Sequence, residues 1–202
     1  LPFAVSANSK LERMMGDPNQ WVTQSGDYAG HRYSSLDQIN KSNVGSLKVA
    51  WSFSTGVLRG HEGSPLVIGD TMYVHTAIPN IVYALDLNDD QRILWKYNPV
   101  KGGKYPGGET MDRVISVMCC DNVNRGVNYH PSGKVFLHAA DSSVIALDAK
   151  SGKEVWVTTN MHAGTGKYGV SASTGTGQPY VIKDTVGVGC SGAEFGVRCW
   201  IA

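Results

Sequence analysis

One pattern recurs along this chain and limits how it can fold. Val82-Tyr83-Ala84-Leu85-Asp86 returns 62 residues later as Val144-Ile145-Ala146-Leu147-Asp148. Each copy runs through a polar turn, Asn88-Asp89-Asp90 in the first and Lys150-Ser151-Gly152 in the second. Each then reaches a segment ending in tryptophan, Ile93-Leu94-Trp95 and Glu154-Val155-Trp156, and Trp51 closes a comparable stretch, Leu47-Lys48-Val49-Ala50-Trp51. A second pattern occurs three times: a polar turn followed by alternating apolar residues, in 69–75, 132–138 and 183–189. Alternation with period two after a tight turn reads as a strand. Short strands, hairpin turns and a repeated Ala-Leu-Asp…Trp unit predict an all-β chain of β-propeller blades, with a Trp of one blade packing on the next.

About three units fit in 202 residues, whereas a propeller closes with about four to eight blades. The expectation is therefore the N-terminal part of a longer propeller. The repeat exceeds the ~40–50 residues of common blades, which leaves room for long loops at 96–128 and 158–178. Loops on one rim of a rigid scaffold are where chemistry is usually placed.

Apolar residues make up 42% of the chain and charged residues 17%, with 24 glycines, as expected of a turn-rich folded protein. A net charge of +1 without like-charge blocks argues against nucleic-acid or membrane-surface binding. Leu1-Pro2-Phe3-Ala4-Val5-Ser6-Ala7 is apolar and ends in a small-x-small site. It reads as a signal-peptide remnant (1–7) ahead of a single propeller domain (8–202). Export places the cysteines where a disulfide lasts. No other stretch is long and apolar enough to span a bilayer.

Cys119 and Cys120 are adjacent, and Arg125 follows in Cys-Cys-Asp-Asn-Val-Asn-Arg. Such a pair is either two buried thiols or a ring closed through one peptide, a poor crosslink but a flat plate. Farther on, Cys190-Ser191-Gly192-Ala193-Glu194 is a run of small residues ending in a carboxylate. Cys190 and Cys199 either pair or remain thiols. If 191–194 continues a strand they lie too far apart to bond without a turn. The dispersed histidines, including His75 and His138 at strand ends, read as structural. No Cys-x-x-Cys-His haem site and no zinc-protease pattern occurs.

Four motifs in order resemble one family: Tyr33-Ser34-Ser35-Leu36-Asp37-Gln38-Ile39-Asn40, Arg59-Gly60-His61-Glu62-Gly63-Ser64-Pro65, Cys119-Cys120-Asp121 through Arg125, and Gly189-Cys190-Ser191-Gly192-Ala193-Glu194. Together they resemble the large subunit of methanol dehydrogenase, an eight-bladed propeller that uses pyrroloquinoline quinone (PQQ). The 59–65 stretch and Phe195 lean toward the lanthanide-using clade. The resemblance implies that Cys119 and Cys120 form a vicinal disulfide stacked on the quinone and that Arg125 bonds the quinone oxygens. It implies that Glu62, Thr176, Ser191, Gly192 and Ala193 contact the cofactor's carboxylates and ring edge. Glu194 would bind the active-site metal, Ca²⁺ or a lanthanide, both of which prefer oxygen ligands. The catalytic base and the remaining metal ligands would lie beyond residue 202, so no catalytic residue is assigned within the chain. The 101–111 stretch is longer than the family's usual spacer.

The function so implied is periplasmic oxidation of methanol or a short primary alcohol to the aldehyde, with electrons passed to a soluble cytochrome c. A homodimer or a pairing with a small subunit goes with it, and this piece alone would be inactive. The alternatives are a related PQQ dehydrogenase for another alcohol or a sugar, and a non-catalytic scaffold propeller. A scaffold would have no use for the cysteine pair, Arg125 or Glu194.

Overall fold

Each repeat folds as a four-stranded antiparallel meander. The computed structural model describes residues 8–58, 60–100, 114–118, 120–158 and 173–202, the side chains of Asp121 and Glu194 excepted. The first sheet runs β1 (Leu66–Ile68), β2 (Thr71–His75), β3 (Val82–Asp86) and β4 (Ile93–Tyr97). The second runs β5 (Val127–His130), β6 (Lys134–His138), β7 (Val144–Asp148) and β8 (Glu154–Thr158). A hairpin of β9 (Tyr180–Ile182) and β10 (Thr185–Gly187) begins a third unit. The three turn-led patterns form the second strand of each unit, and the Ala-Leu-Asp…Trp patterns form the third and fourth.

The two sheets share their irregularity as well. Ala84 pairs with Trp95 and Leu85 then pairs with Ile93, while Ala146 pairs with Trp156 and Leu147 with Glu154. An extra residue sits at the same place in both β4 and β8, the mark of a bulge held by the repeat itself.

Both faces of each sheet are apolar, as a blade between two neighbours requires. Tyr73, Val82, Ala84, Trp95 and Tyr97 of the first sheet share a core with Val135, Leu137, Ile145 and Leu147 of the second. On the opposite face, Phe136 and Ala146 pack with Val181 of β9 and with Leu11 and Val22. Leu11 belongs to α1 (Ser9–Met15), which Asn8 caps by accepting from the backbone N–H groups of Lys10 and Leu11, both at 3.1 Å.

Trp95 locks one blade to the next. Its indole Nε1 donates to the Ala149 carbonyl at 3.0 Å, and the Tyr73 hydroxyl donates to the same oxygen at 3.1 Å. Its ring lies against Gly152, whose φ of +67° is a left-handed turn conformation. The expected contact of a Trp with its neighbouring blade is therefore present. Trp156, the matching residue of the second sheet, packs on Phe136 of its own blade and is 36% exposed.

The Trp51 stretch departs from its counterparts. Residues 47–51 are exposed and form no strand, because no described segment offers them a ladder of hydrogen bonds. Among the described residues no helix is long and apolar enough to cross a membrane.

Candidate functional site

The first strands of successive units touch, β1 against β5 and β5 against β9. The segments that feed them therefore converge. Glu62 precedes β1, Arg125 precedes β5 and Thr176 precedes β9, so one predicted site residue arrives from each unit. A parallel bridge between His61 and Asn124 brings the Glu62 segment to that of Arg125. The Arg125 backbone N–H donates to the Thr176 carbonyl at 2.9 Å, and Thr174 and Ser191 pair as an antiparallel bridge.

The side chains continue these links. Arg125 Nη2 lies 3.6 Å from Glu62 Oε2, and Nη1 donates to Thr176 Oγ1 at 3.0 Å. Thr176 Oγ1 in turn shares a short hydrogen bond with Ser191 Oγ. A continuous polar chain thus runs Glu62–Arg125–Thr176–Ser191. Its charged members are half exposed, at 44% for the Arg125 side chain and 52% for Glu62, so both remain available to a ligand.

This chain borders a cavity of about 340 Å³, walled by Cys120, Val123, Arg125, Thr176, Ser191, Gly192, Ala193 and the Cys190–Cys199 pair. Its size falls toward the low end of the ~300–1,000 Å³ of small-molecule sites. Gly192 adopts φ +119°, which a side chain rarely tolerates, and it is buried at the cavity wall. Six of the nine predicted site residues, Cys120, Arg125, Thr176, Ser191, Gly192 and Ala193, line this one space. Glu62 reaches it through Arg125.

Cys120 is disulfide-bonded. Cys119, and with it the expected vicinal pairing, lies outside the described residues. So do the Glu194 side chain with its metal role and the 101–111 stretch. The Glu194 backbone is part of a 3-10 turn, Ala193–Phe195.

Cys190 and Cys199 are joined, with Cα atoms 5.3 Å apart. Of the two outcomes that the sequence leaves open, pairing is the one found, and the turn that it requires is present. Gly192 and Gly196 both take positive φ and fold the segment back through the 3-10 turn. The glycines are the local signal for that turn.

Two histidines support the site from below. The His75 ring sits where a Cβ on Gly63 would be, while a Cβ on Gly175 would meet the Ala139 carbonyl oxygen, with the His138 ring next at 2.8 Å. His75 Nε2 also contacts the Asn124 carbonyl at 3.1 Å. Burial lowers both imidazole pKa values from 6.5 to about 4, so both are neutral near pH 7. They hold the loops beside Glu62 and Thr176 without entering the cavity wall. Asn124, fully buried, donates to the His138 carbonyl at 2.9 Å and accepts from the Gly126 N–H at 2.9 Å. Its spacing from the cysteine pair carries no sign of that role.

The fold and the cavity define a class: a propeller whose inner-strand entry loops enclose a small-molecule site rimmed by one guanidinium and two hydroxyls. The chain belongs to the PQQ glucose/ethanol/alcohol dehydrogenase β-propeller family, whose model matches residues 21–194. It is 51% identical over 195 residues to a lanthanide-dependent methanol dehydrogenase of Methylorubrum extorquens, covering 96% of this chain and 30% of the relative. It is 44% identical to the cytochrome c methanol dehydrogenase subunit 1 of Paracoccus denitrificans, covering 97% of this chain and 30% of the relative. A europium-containing methanol dehydrogenase superposes with a TM-score of 0.84 at 48% identity, over 96% of this chain and 31% of the other. The chain thus spans about a third of the length of the relatives it matches.

Proposed function

We propose that this chain forms the quinone cradle of a PQQ-dependent alcohol dehydrogenase, and that the whole protein oxidises methanol or a short primary alcohol to the aldehyde. The observation that carries the reading is the Glu62–Arg125–Thr176–Ser191 chain along the cavity wall. A planar tricarboxylate with ortho-quinone oxygens needs a cation at one edge, hydroxyl donors at its rim and close backbone approach. The donor set supplies all three through Arg125, Thr176 with Ser191, and Gly192. When bound, PQQ supplies a two-electron acceptor and its cation a Lewis acid.

Arg125 would offer its guanidinium to the quinone oxygens and so favour negative charge there, and Glu62, 3.6 Å from Nη2, would keep that guanidinium oriented. Thr176 and Ser191 would offer hydroxyls to the cofactor's carboxylates, Ala193 would allow close approach because it lacks bulk, and the disulfide-bonded Cys120 would form part of the wall that excludes water. Glu194 is the proposed carboxylate ligand of the cation. The higher identity to lanthanide-dependent relatives, 51% against 44%, supports a lanthanide over Ca²⁺. The bonded Cys120 and the Cys190–Cys199 bridge support an oxidising compartment, here the periplasm. Cytochrome c as electron acceptor is supported by the name of the Paracoccus relative.

Similarity to a quinohemoprotein alcohol dehydrogenase of Comamonas testosteroni, TM-score 0.81 at 38% identity, supports a second reading as a related PQQ dehydrogenase for another alcohol. The test is purification of the full-length protein with PQQ and a lanthanide or Ca²⁺, followed by dye-linked oxidation assays. Methanol oxidation together with quinone absorbance is expected. Absence of both overturns the assignment, and turnover of other alcohols without methanol oxidation selects the second reading.

A further inference from the structure

Cys190 and Cys199 close a ten-residue loop that contains Ser191, Gly192 and Ala193, and both cysteines wall the same cavity as those residues. Below the bond the chain is a narrow hairpin. Val188 and Ala202 exchange two backbone hydrogen bonds, and the Cys190 N–H donates to the Trp200 carbonyl at 3.2 Å. Above it the contacts of the described residues hold the tip mostly to itself. Its backbone bonds run within the turn, from Phe195 and Val197 to Gly192 and from Gly196 to Ala193. Phe195 is 54% exposed and Ala193 is exposed, so neither anchors the tip in a core. Two glycines in the left-handed region make the same segment flexible once unpinned. Among the described residues, the bridge of Ser191 to Thr174 and the Thr176–Ser191 hydrogen bond tie it, beside the disulfide, to the Arg125 side.

We propose that the Cys190–Cys199 bond is a positioning clamp that holds the 191–193 tip in quinone-binding geometry, so that its integrity sets cofactor affinity. The proposal rests on the quinone reading above. In the unclamped protein the tip has to be ordered by the ligand, and that ordering is subtracted from affinity. Closing a ten-residue loop restricts the open ensemble by roughly a hundredfold. The hairpin bonds retain part of that order, which leaves an expected loss of about tenfold to a hundredfold in PQQ affinity.

The test uses the full-length protein and the Cys190→Ser/Cys199→Ser double variant, which spares the Cys120 disulfide. PQQ dissociation constants are read by tryptophan fluorescence, and backbone amide exchange is read by mass spectrometry without cofactor. Weaker PQQ binding by tenfold or more is expected, with faster exchange confined to 191–197 and unchanged exchange in β2, β3, β6 and β7. A purely structural crosslink would instead raise exchange across the blades. An affinity within threefold of wild type, or unchanged exchange at 191–197, overturns the clamp. If wild type binds no PQQ, the cofactor reading fails, and the exchange measurement still decides whether the bond orders the tip. Should the double variant not fold, limited reduction of wild type replaces it, because Cys199 is solvent-exposed. Alkylation mapped to Cys190 and Cys199 must then bring the same localised exchange, and its absence refutes the clamp equally.

Discussion

Replacing Arg125 by lysine separates the two tasks assigned to that residue. The guanidinium donates to Thr176 Oγ1 at 3.0 Å and approaches Glu62 Oε2 at 3.6 Å, with its side chain 44% exposed. Lysine keeps the charge but loses the planar fork that engages two acceptors at once. For the fold the loss is small. A half-exposed ion pair contributes ~0–1 kcal/mol, and the hydrogen bond to Thr176 about 1 kcal/mol. For the quinone it is larger, because the free edge of a cation in the cavity wall forms charge-assisted bonds worth about 1.5–3 kcal/mol each. One such bond lost weakens PQQ binding by roughly 10–150-fold. Fluorescence titration of the cofactor-free full-length protein reads the affinity, and a thermal melt of the same sample reads the stability cost. The expected signature is a large rise in dissociation constant with a melting shift of only a few degrees. An R125K protein that binds PQQ within threefold of wild type would show that the guanidinium does not face the ligand. A melting loss as large as the binding loss would show that Arg125 is a structural strut.

Gly152→Ala tests the lock between blades. A Cβ there would lie 2.6 Å from Trp95 Cδ2 and Cε3 at a φ of +67°, which costs about 1–2 kcal/mol for the backbone and ~1–3 kcal/mol for the displaced ring. A clear drop in the denaturant midpoint is expected, and an unchanged midpoint means that Trp95 does not lock the blades. Acid sensitivity tests the buried histidines. Their folded pKa of about 4 lies below the unfolded 6.5, so the native state excludes protons that the unfolded chain binds. Stability is fully present above pH 6.5 and falls toward pH 4, by on the order of 3 kcal/mol per histidine. Unfolding midpoints measured from pH 7.5 to 4.5 are expected to decline, with a shallower slope in H75Q, and a flat profile refutes the burial argument.

The blade plan is legible in the sequence because the repeat acts through local rules. Alternation sets which face each of Tyr73, Ala84 and Trp95 takes, and a polar turn sets where the next strand begins. Trp51 satisfies the same local rule and still forms no strand, because a strand is a pairing and its partner is not encoded beside it. The Cys190–Cys199 bond is hidden for a related reason. Nine positions of extended chain would forbid it, and only the positive φ of Gly192 and Gly196 brings the sulfurs together. His75 and His138 look alike in sequence as strand-end residues. That each lies beneath a glycine of a site loop follows from packing between segments far apart in the chain.

The location of the site follows from the repeat rather than from any one motif. Each unit sends its first strand toward the same region, and the residues entering those strands arrive side by side. A single blade offers one such entry and cannot surround a ligand, whereas consecutive blades present Glu62, Arg125 and Thr176 in adjacent loops joined by backbone bonds. The second strands end beneath them, where His75 fills the space that Gly63 leaves open and the Ala139 carbonyl with the His138 ring lies under Gly175. In the third unit the position that matches His75 and His138 is Gly189, which has no side chain to pack, and the next residue, Cys190, is bonded to Cys199. That crosslink belongs to the segment that carries most of the cavity wall. The cavity wall, drawn from the segments of the second and third units, therefore has its least packed side in the third, and the Cys190–Cys199 bond is placed to hold that side.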